Sequence, residues 1–240
     1  MRKLFTLLAI AITLISNAQE STLLRLNYEV GDQYLVSMDM EQVGMMSMNI
    51  EMGLDVKDVL DTIYNLDMTI KSIKTNMSQG GMDMSYDSKT ADEELDDMGK
   101  MIKAQFAPML AATIFTKMTH RAETVETVVE PPVNGMDQFT NSAGAVVYPK
   151  EAVKVGDSWT KNKLENGMDM TMIYTVKTIG KDIVEVEISG TIELLAEGTI
   201  SGNMEIDRAT GNVNYSTMDM NMVASGQEMT MKINMTSKKL

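Results

Sequence analysis

The stretch that decides the fold reads Met46-Ser47-Met48-Asn49-Ile50-Glu51-Met52-Gly53-Leu54-Asp55-Val56. Every second residue in it is apolar, and the residues between them are polar or glycine. Because successive side chains of a strand point to opposite faces of a sheet, this period of two predicts a strand with one apolar face. Half-polar strands of this kind are typical of antiparallel sheets that cover a core on one side only.

The same alternation recurs along most of the chain. It is found in residues 34–40, 64–70, 82–86, 168–176, 184–188, 200–206, 218–222 and 229–235. The segment Asp207–Asn212 between two of these runs contains Gly211, as a hairpin turn would require. The sequence therefore predicts a mainly β protein, built on one curved, half-barrel-like antiparallel sheet.

One segment, from about Asp92 to Thr119, follows a helical pattern instead. Its apolar residues recur at intervals of three and four, and acidic residues stand at its beginning. We expect a helical insertion packed on the methionine-rich inner face of the sheet, kinked or divided at Pro108. A linker should follow at residues 130–135, and a short second helix around residues 136–143.

The chain is loosely duplicated around this insertion. Tyr28-Glu29-Val30-Gly31-Asp32-Gln33-Tyr34 is echoed by Val153-Lys154-Val155-Gly156-Asp157-Ser158-Trp159, and each precedes a methionine-rich alternating run. In both copies Gly-Asp suits a tight turn. We therefore expect a single domain over residues 19–240, made of two similar halves at about residues 19–90 and 148–240.

The first eighteen residues predict export. Arg2 and Lys3 precede an apolar run from Leu4 to Ile15, and small residues follow, as in a cleavable signal peptide over residues 1–18. The chain has no cysteine, which excludes a lipid anchor, disulfides and thiolate sites. No later segment is long and apolar enough to span a membrane. A periplasmic or secreted protein is expected, and its net charge of −13 argues against a nucleic-acid partner.

These features together resemble those of a known group of proteins. The end of the signal peptide at Asn17-Ala18-Gln19, the two Val-Gly-Asp-aromatic units and Tyr148-Pro149-Lys150 resemble an uncharacterised secreted family of Bacteroidota-type bacteria. The layout is also similar to that of periplasmic lipoprotein carriers, whose curved sheet wraps around helices that plug an apolar cavity. This second resemblance implies an apolar binding site, and neither resemblance brings catalytic residues with it.

Catalytic signatures are missing from the sequence. It contains neither a Gly-x-Ser-x-Gly motif nor a phosphate-binding glycine loop, and His120 is the only histidine. One histidine without cysteine argues against a zinc site. A histidine at a helix end is more often a capping cation than a base. We therefore expect a protein that is not an enzyme and that carries no cofactor.

The 26 methionines are the most unusual feature of the composition. They share strand positions with isoleucine, leucine and valine, which favours core or cavity lining, and methionine provides an adaptable apolar surface. The predicted lining residues of a cavity for a hydrophobic small molecule or a lipidated partner are Met38, Met40, Met46, Met48, Met52, Met68, Met82, Met84, Met168, Met170, Met172, Met204, Met218, Met220, Met222, Met229 and Met231.

Two alternatives to a hydrophobic-ligand site remain. Thioethers bind soft ions, so Met-x-Met pairs such as Met38-Asp39-Met40 could bind Cu(I) or Ag(I), with His120 as a nitrogen ligand. The chain could also be a structural module whose core is filled and which binds no small ligand. Sulfur atoms converging on one point would favour the metal, and a dispersed apolar lining would favour the hydrophobic ligand.

Overall fold

The computed structural model describes residues 20–79, 82–134, 136, 146–165 and 167–240. The predicted signal peptide (residues 1–18) and most of the predicted second helix lie outside these residues. Within the described residues there are fourteen strands and one α-helix of more than one turn, in addition to a 3-10 turn at Asp92–Glu94. They are β1 (Ser21–Thr22), β2 (Gln33–Gln42), β3 (Met46–Leu60), β4 (Ile63–Gln79), β5 (Met82–Asp87), α1 (Asp97–Ala111), β6 (Thr113–Thr119), β7 (Thr124–Glu130), β8 (Val153–Lys154), β9 (Ser158–Glu165), β10 (Met168–Ile179), β11 (Ile183–Leu194), β12 (Glu197–Asp207), β13 (Val213–Ala224) and β14 (Gln227–Lys239).

Twelve of the strands form one large sheet, and every pairing in it is antiparallel. The strand order is β7-β6-β4-β3-β2-β14-β13-β12-β11-β10-β9. In addition, β5 pairs with residues 74–79 of the long strand β4. Strands β1 and β8 form a separate two-stranded pairing. The two halves of the chain meet in the middle of the large sheet, where β2 pairs with β14. The predicted mainly β fold with one large antiparallel sheet is confirmed.

The repeated Gly-Asp units have the same local structure. Gly31 and Gly156 both have a φ of 91°, the left-handed region that glycine adopts most readily. In the second hairpin after each turn, β3–β4 in the first half and β10–β11 in the second, the register shifts at Lys57 and at Lys177. The short sequence echo therefore extends into the strands that follow it.

Helix α1 is shorter than the predicted helical segment. It begins after Asp96, whose side chain accepts a hydrogen bond from the Gly99 amide at 2.7 Å, and it ends at Ala111. Pro108 lies inside the helix and does not divide it, and a kink at Pro108 stays a prediction. Residues 113–119 form β6, which pairs with β4. Ile114, Thr116 and Met118 alternate there, and pairing with β4 outweighs their helical spacing.

The core lies on one face of the sheet, which we call the inner face. It is the face that carries Tyr34, Val56 and Val176, all at most 2% exposed. Helix α1 packs on this face over β3, β4 and β6, where Met109 joins a buried cluster with Ile50 and Ile73. The predicted packing of the helical insertion on the inner face is confirmed.

The inner face is sealed at one end, which we call the closed end. It contains the Gly31-Asp32 turn and the β6–β7 and β12–β13 turns. The chain segments before β2 and before β8 cross it, because Leu26 N–H donates to the His120 carbonyl at 2.7 Å and Tyr148 N–H donates to the Arg121 carbonyl at 2.8 Å. The opposite end, with the β2–β3, β11–β12 and β13–β14 turns, is called the far end.

Buried tyrosines tie the closed end together. The Tyr64 hydroxyl donates to the Leu26 carbonyl at 2.7 Å, and the Tyr148 hydroxyl donates to the Gly211 carbonyl at 2.7 Å. The Tyr28 hydroxyl donates to the Asn212 side-chain oxygen at 3.1 Å. Because these three buried hydroxyls have partners, they add no cost of unsatisfied polar groups to the packing of the closed end.

Candidate functional site

All predicted lining methionines whose side chains the structure describes lie on the inner face. Only the side chain of Met82 lies outside the described part. Strand register places the other sixteen on the face that carries Val56 and Val176. Alternation alone was sufficient to predict this orientation. Whether these residues line a ligand site stays a prediction.

The sixteen methionines differ in burial. Five of them are at most 9% exposed and are part of the packed core: Met170, Met172, Met204, Met220 and Met222. The other eleven are only half-buried: Met38, Met40, Met46, Met48, Met52, Met68, Met84, Met168, Met218, Met229 and Met231. The buried five fill space in the core, whereas the half-buried eleven keep part of their surface accessible.

Burial on the inner face changes along the strands. Toward the closed end the face carries Tyr34, Val56, Leu66, Val176 and Ile206, which are 0–2% exposed. Toward the far end it carries a half-buried set that we call the methionine surface. Its members are Met40, Met46, Met48, Met84, Met168, Met218, Met229 and Met231. Ile192 and Ile200 beside the β11–β12 turn are also buried, at most 3% exposed, so the accessible thioethers occupy only part of the far end.

Cross-strand pairing makes the methionine surface continuous in its centre. Met40 lies opposite Met48 across β2 and β3, and Ile233 of β14 lies opposite both Met40 and Met218. Directly opposite side chains have Cβ atoms about 4.5–5.5 Å apart, so they touch. Partners from the two halves of the chain thus contribute to one apolar surface.

Two buried hydroxyls border this surface beneath α1. Thr75 lies opposite both Met48 on β3 and Tyr86 on β5. Thr75 is 2% exposed and Tyr86 is 4% exposed, yet neither side-chain oxygen has a hydrogen-bond partner among the described residues. Burial raises the pKa of Tyr86, which keeps its hydroxyl protonated and able to donate. Phe106 of α1 stacks on the Tyr86 ring at 6.0 Å between centroids. Unsatisfied buried hydroxyls are uncommon and can anchor the polar part of a bound molecule.

The edge strand β9 carries lysines on the inner face. Lys161 lies opposite Met172, and Lys163 lies opposite Met170. Burial lowers the pKa of Lys161, and the positive charge of Lys163 lowers it further. Inward-pointing lysines on an edge strand hinder pairing with the edge of another sheet, because the pairing would desolvate their charge. The inward direction of these lysines was not predicted from the sequence, although Lys161 and Lys163 share the parity of Trp159 on β9.

A shallow cavity lies at the far end of β2, β3, β4 and β5. Its volume is about 320 Å³, and Gln42, Met46, Met77 and Met84 are among the residues that line it. Met77 lies opposite both Met46 and Met84 and was not among the predicted lining residues. It was missed because the register shift between Glu51 and Met52 changes the parity of β4 after Ile70.

The structure separates His120 from the methionine surface. His120 lies in the β6–β7 turn at the closed end, where its N–H donates to the Thr62 carbonyl at 3.0 Å. Its position does not support the expectation of a nitrogen ligand beside the far-end methionines. In the described part of the chain, no group of three histidine, aspartate or glutamate residues could hold a metal ion. In the same residues, no helix is long and apolar enough to cross a membrane.

Comparisons with known proteins give a family match over part of the chain. Residues 135–213, about a third of the chain, match a family of unknown function (DUF6263). This agrees with the expected resemblance to an uncharacterised family, and the bacterial group stays a prediction. A search among curated proteins finds no match.

Two of the solved structures that match are distantly similar to this chain. One is the crystal structure of Rv2717c from M. tuberculosis, which is 10% identical with a TM-score of 0.27 and covers 87% of this chain and 92% of that one. Another is a putative outer membrane lipoprotein-sorting protein domain from Vibrio parahaemolyticus, which is 11% identical with a TM-score of 0.22 and covers 89% of this chain and 87% of that one. TM-scores this low support no argument about fold or function.

Proposed function

We propose that this chain is an exported, non-enzymatic binding or carrier protein for a hydrophobic, lipid-like ligand, held on the methionine surface. The observation that carries the proposal is the division of the inner face. Its closed end is packed with tyrosine, valine and isoleucine, whereas its far end carries eight half-buried methionines. Export and a periplasmic or secreted location rest on the predicted signal peptide.

The choice of methionine supports binding more than stability. Burying a methionine side chain contributes about 1.5–3 kcal/mol, and ordering it costs up to about 2 kcal/mol. Leucine or isoleucine would stabilise a filled core better, as the residues of the closed end do. A flexible, polarizable side chain instead suits a surface that adapts to apolar ligands of different shapes.

The hydroxyls of Thr75 and Tyr86 suggest that the ligand is amphipathic. Both are buried next to the methionine surface, and both lack a partner among the described residues. Binding sites for small molecules are mostly apolar, with a few polar groups that fix the orientation of the ligand. An ester, hydroxyl or carboxyl group of a lipid would satisfy these two hydroxyls while its chain lies on the methionines.

A pair of neighbouring substitutions on β3 tests this function. Met48 points to the inner face, and Ser47 points to the outer face of the same strand. Met48→Glu should weaken the binding of a neutral fluorescent probe such as N-phenyl-1-naphthylamine at least tenfold, because the carboxylate must stay hydrated. Ser47→Glu adds the same charge on the other face and should leave the affinity unchanged. If both variants bind the probe as the unsubstituted protein does, the methionine surface is not the binding site.

A further inference from the structure

A glutamine amide lies between two thioethers at the far end of the sheet. Gln42 Nε2 is 3.2 Å from the Met45 sulfur and 3.7 Å from the Met229 sulfur. In the strand register, Gln42 lies directly opposite Met46 on β3 and Met231 on β14. Two sulfur atoms therefore face one nitrogen, and two more methionines flank it.

The sulfur atoms in this arrangement come from neighbouring strands and a turn, and not from the two methionines of a Met-x-Met pair on one strand. Residues two apart on one strand are separated by about 7 Å along the chain. Residues directly opposite on neighbouring strands have Cβ atoms only about 4.5–5.5 Å apart. Met45 adds a side chain from the β2–β3 turn, since its N–H donates to the Gln42 carbonyl at 3.0 Å. The turn and the two strand pairings together make the sulfur cluster.

The chemistry of the cluster suits a soft cation. A thioether is a weak hydrogen-bond acceptor, so the amide gains little from its two sulfur contacts. Thioethers are ligands for Cu(I), whereas hard cations such as magnesium and calcium prefer oxygen. The net charge of −13 also favours the approach of a cation.

We propose that Met45, Met46, Met229 and Met231 form a binding site for one soft monovalent cation, Cu(I) or Ag(I). The cation takes the place of the Gln42 amide between the sulfurs. Each methionine has three rotatable side-chain bonds, so the four sulfurs can close on an ion without movement of the backbone. This site goes beyond the binding of a hydrophobic ligand and does not depend on it.

Silver titration of the exported protein tests the site. One Ag(I) per chain should bind, and in protein labelled with ¹³C at the methionine methyl groups it should shift the signals of these four residues. The variant Met45→Leu/Met46→Leu/Met229→Leu/Met231→Leu should bind Ag(I) at least tenfold more weakly. Its far-ultraviolet circular dichroism and its midpoint of urea unfolding should match those of the unsubstituted protein, and this shows that it is folded.

A matched control removes the same number of sulfurs elsewhere. Met168→Leu/Met170→Leu/Met172→Leu/Met204→Leu should bind Ag(I) as the unsubstituted protein does, and Gln42→Met should increase the affinity by adding a thioether. The proposal is overturned if the first variant binds Ag(I) with unchanged affinity. It is equally overturned if Ag(I) shifts methionine signals throughout the chain without preference for these four.

Discussion

Val56 and Val176 hold equivalent positions in the two halves of the chain. The Val56 carbonyl accepts a hydrogen bond from the glycine amide of the Gly31-Asp32 turn at 2.9 Å, and its N–H donates to the aspartate carbonyl of that turn at 2.9 Å. Val176 makes the same two bonds with the Gly156-Asp157 turn, at 2.8 and 2.9 Å. Both valines are at most 1% exposed. Each turn thereby fixes the start of its half to the core.

The conformation of these turns makes glycine necessary. Gly31→Ala should lower the free energy of unfolding by about 1–2 kcal/mol, because a side chain at a φ of 91° is strained. No atom lies within 4 Å of the added Cβ, so the cost comes from the backbone alone. Gly156→Ala should cost the same, and Gly31→Asn should cost less, since asparagine tolerates positive φ better. Urea unfolding measures the free energy of unfolding of all three variants. An unchanged value for Gly31→Ala would contradict the proposed backbone strain.

The ion pair between Asp32 and Lys239 should make stability depend on pH. Burial opposes ionisation of Asp32, but hydrogen bonds from Lys239 at 2.6 Å and from the Glu29 amide at 3.1 Å outweigh it and lower the pKa. A lowered folded-state pKa means that the stabilisation is present above the ordinary value of 3.8 and is lost as pH falls through the folded value. Asp32→Asn should therefore cost about 1 kcal/mol at pH 7.

Measuring urea unfolding of Asp32→Asn and the unsubstituted protein at pH 7, 5 and 3 checks this dependence. The difference in unfolding free energy should shrink at the lowest pH. Asp157→Asn is the matched control for the turn, because Asp157 accepts the same kind of bond from the Lys154 amide at 2.9 Å. A difference between Asp32→Asn and the unsubstituted protein that stays constant over the whole range would exclude the ion pair as its source.

Alkaline pH should destabilise the protein through buried tyrosines. Burial raises the pKa of Tyr34 to about 12, with smaller contributions from the charges of Asp32 and Asp207, and burial alone raises that of Tyr174 to about 12. Because the folded values lie above the ordinary value of 10, this stabilisation is complete below pH 10 and is lost as pH rises toward 12. Thermal unfolding between pH 9 and 12 should show a falling Tm, and an unchanged Tm would contradict the burial of these phenols.

Two buried tyrosines should respond differently to loss of the hydroxyl. Tyr148→Phe removes the bond to the Gly211 carbonyl at 2.7 Å and should lower the free energy of unfolding by about 1–2 kcal/mol. Tyr86→Phe removes a hydroxyl that has no partner among the described residues, so stability should be unchanged or slightly higher. Denaturant unfolding of both variants compares them directly. Equal losses of unfolding free energy in the two variants would show that the Tyr86 hydroxyl has a hydrogen-bond partner.

Much of the fold followed from alternation in the sequence. The period of two placed the methionines of β3, β10 and β13 on the inner face, because side-chain direction in a strand depends only on parity. Alternation did not predict side-chain direction where the strand pairing is irregular. The register shift in the β3–β4 pairing is the reason that Met77 was not predicted on the inner face. The segment Thr113–Thr119 was assigned to the helix because Ile114 and Met118 are four apart. Strand β7 was missed, although Val125, Val128 and Val129 favour a strand.

The details of the candidate site could not be read from the sequence. Burial separates Met220 from Met218, two residues apart on one strand, because it depends on what packs above each position. The contact of Gln42 with Met45 and Met229 requires the turn geometry and the pairing of β2 with β14, which joins residues far apart in the chain. Similarly, the pairing of Thr75 with Tyr86 depends on how β5 returns along β4.

Native mass spectrometry of the protein exported by a bacterial host, with no ligand added, tests the central claim most directly. We expect a heterogeneous set of adducts with lipid-like masses, which a Met48→Glu variant loses and a Ser47→Glu variant keeps. The bare polypeptide mass for the unsubstituted protein, or adducts that are equally abundant in Met48→Glu, would contradict a hydrophobic ligand on the methionine surface.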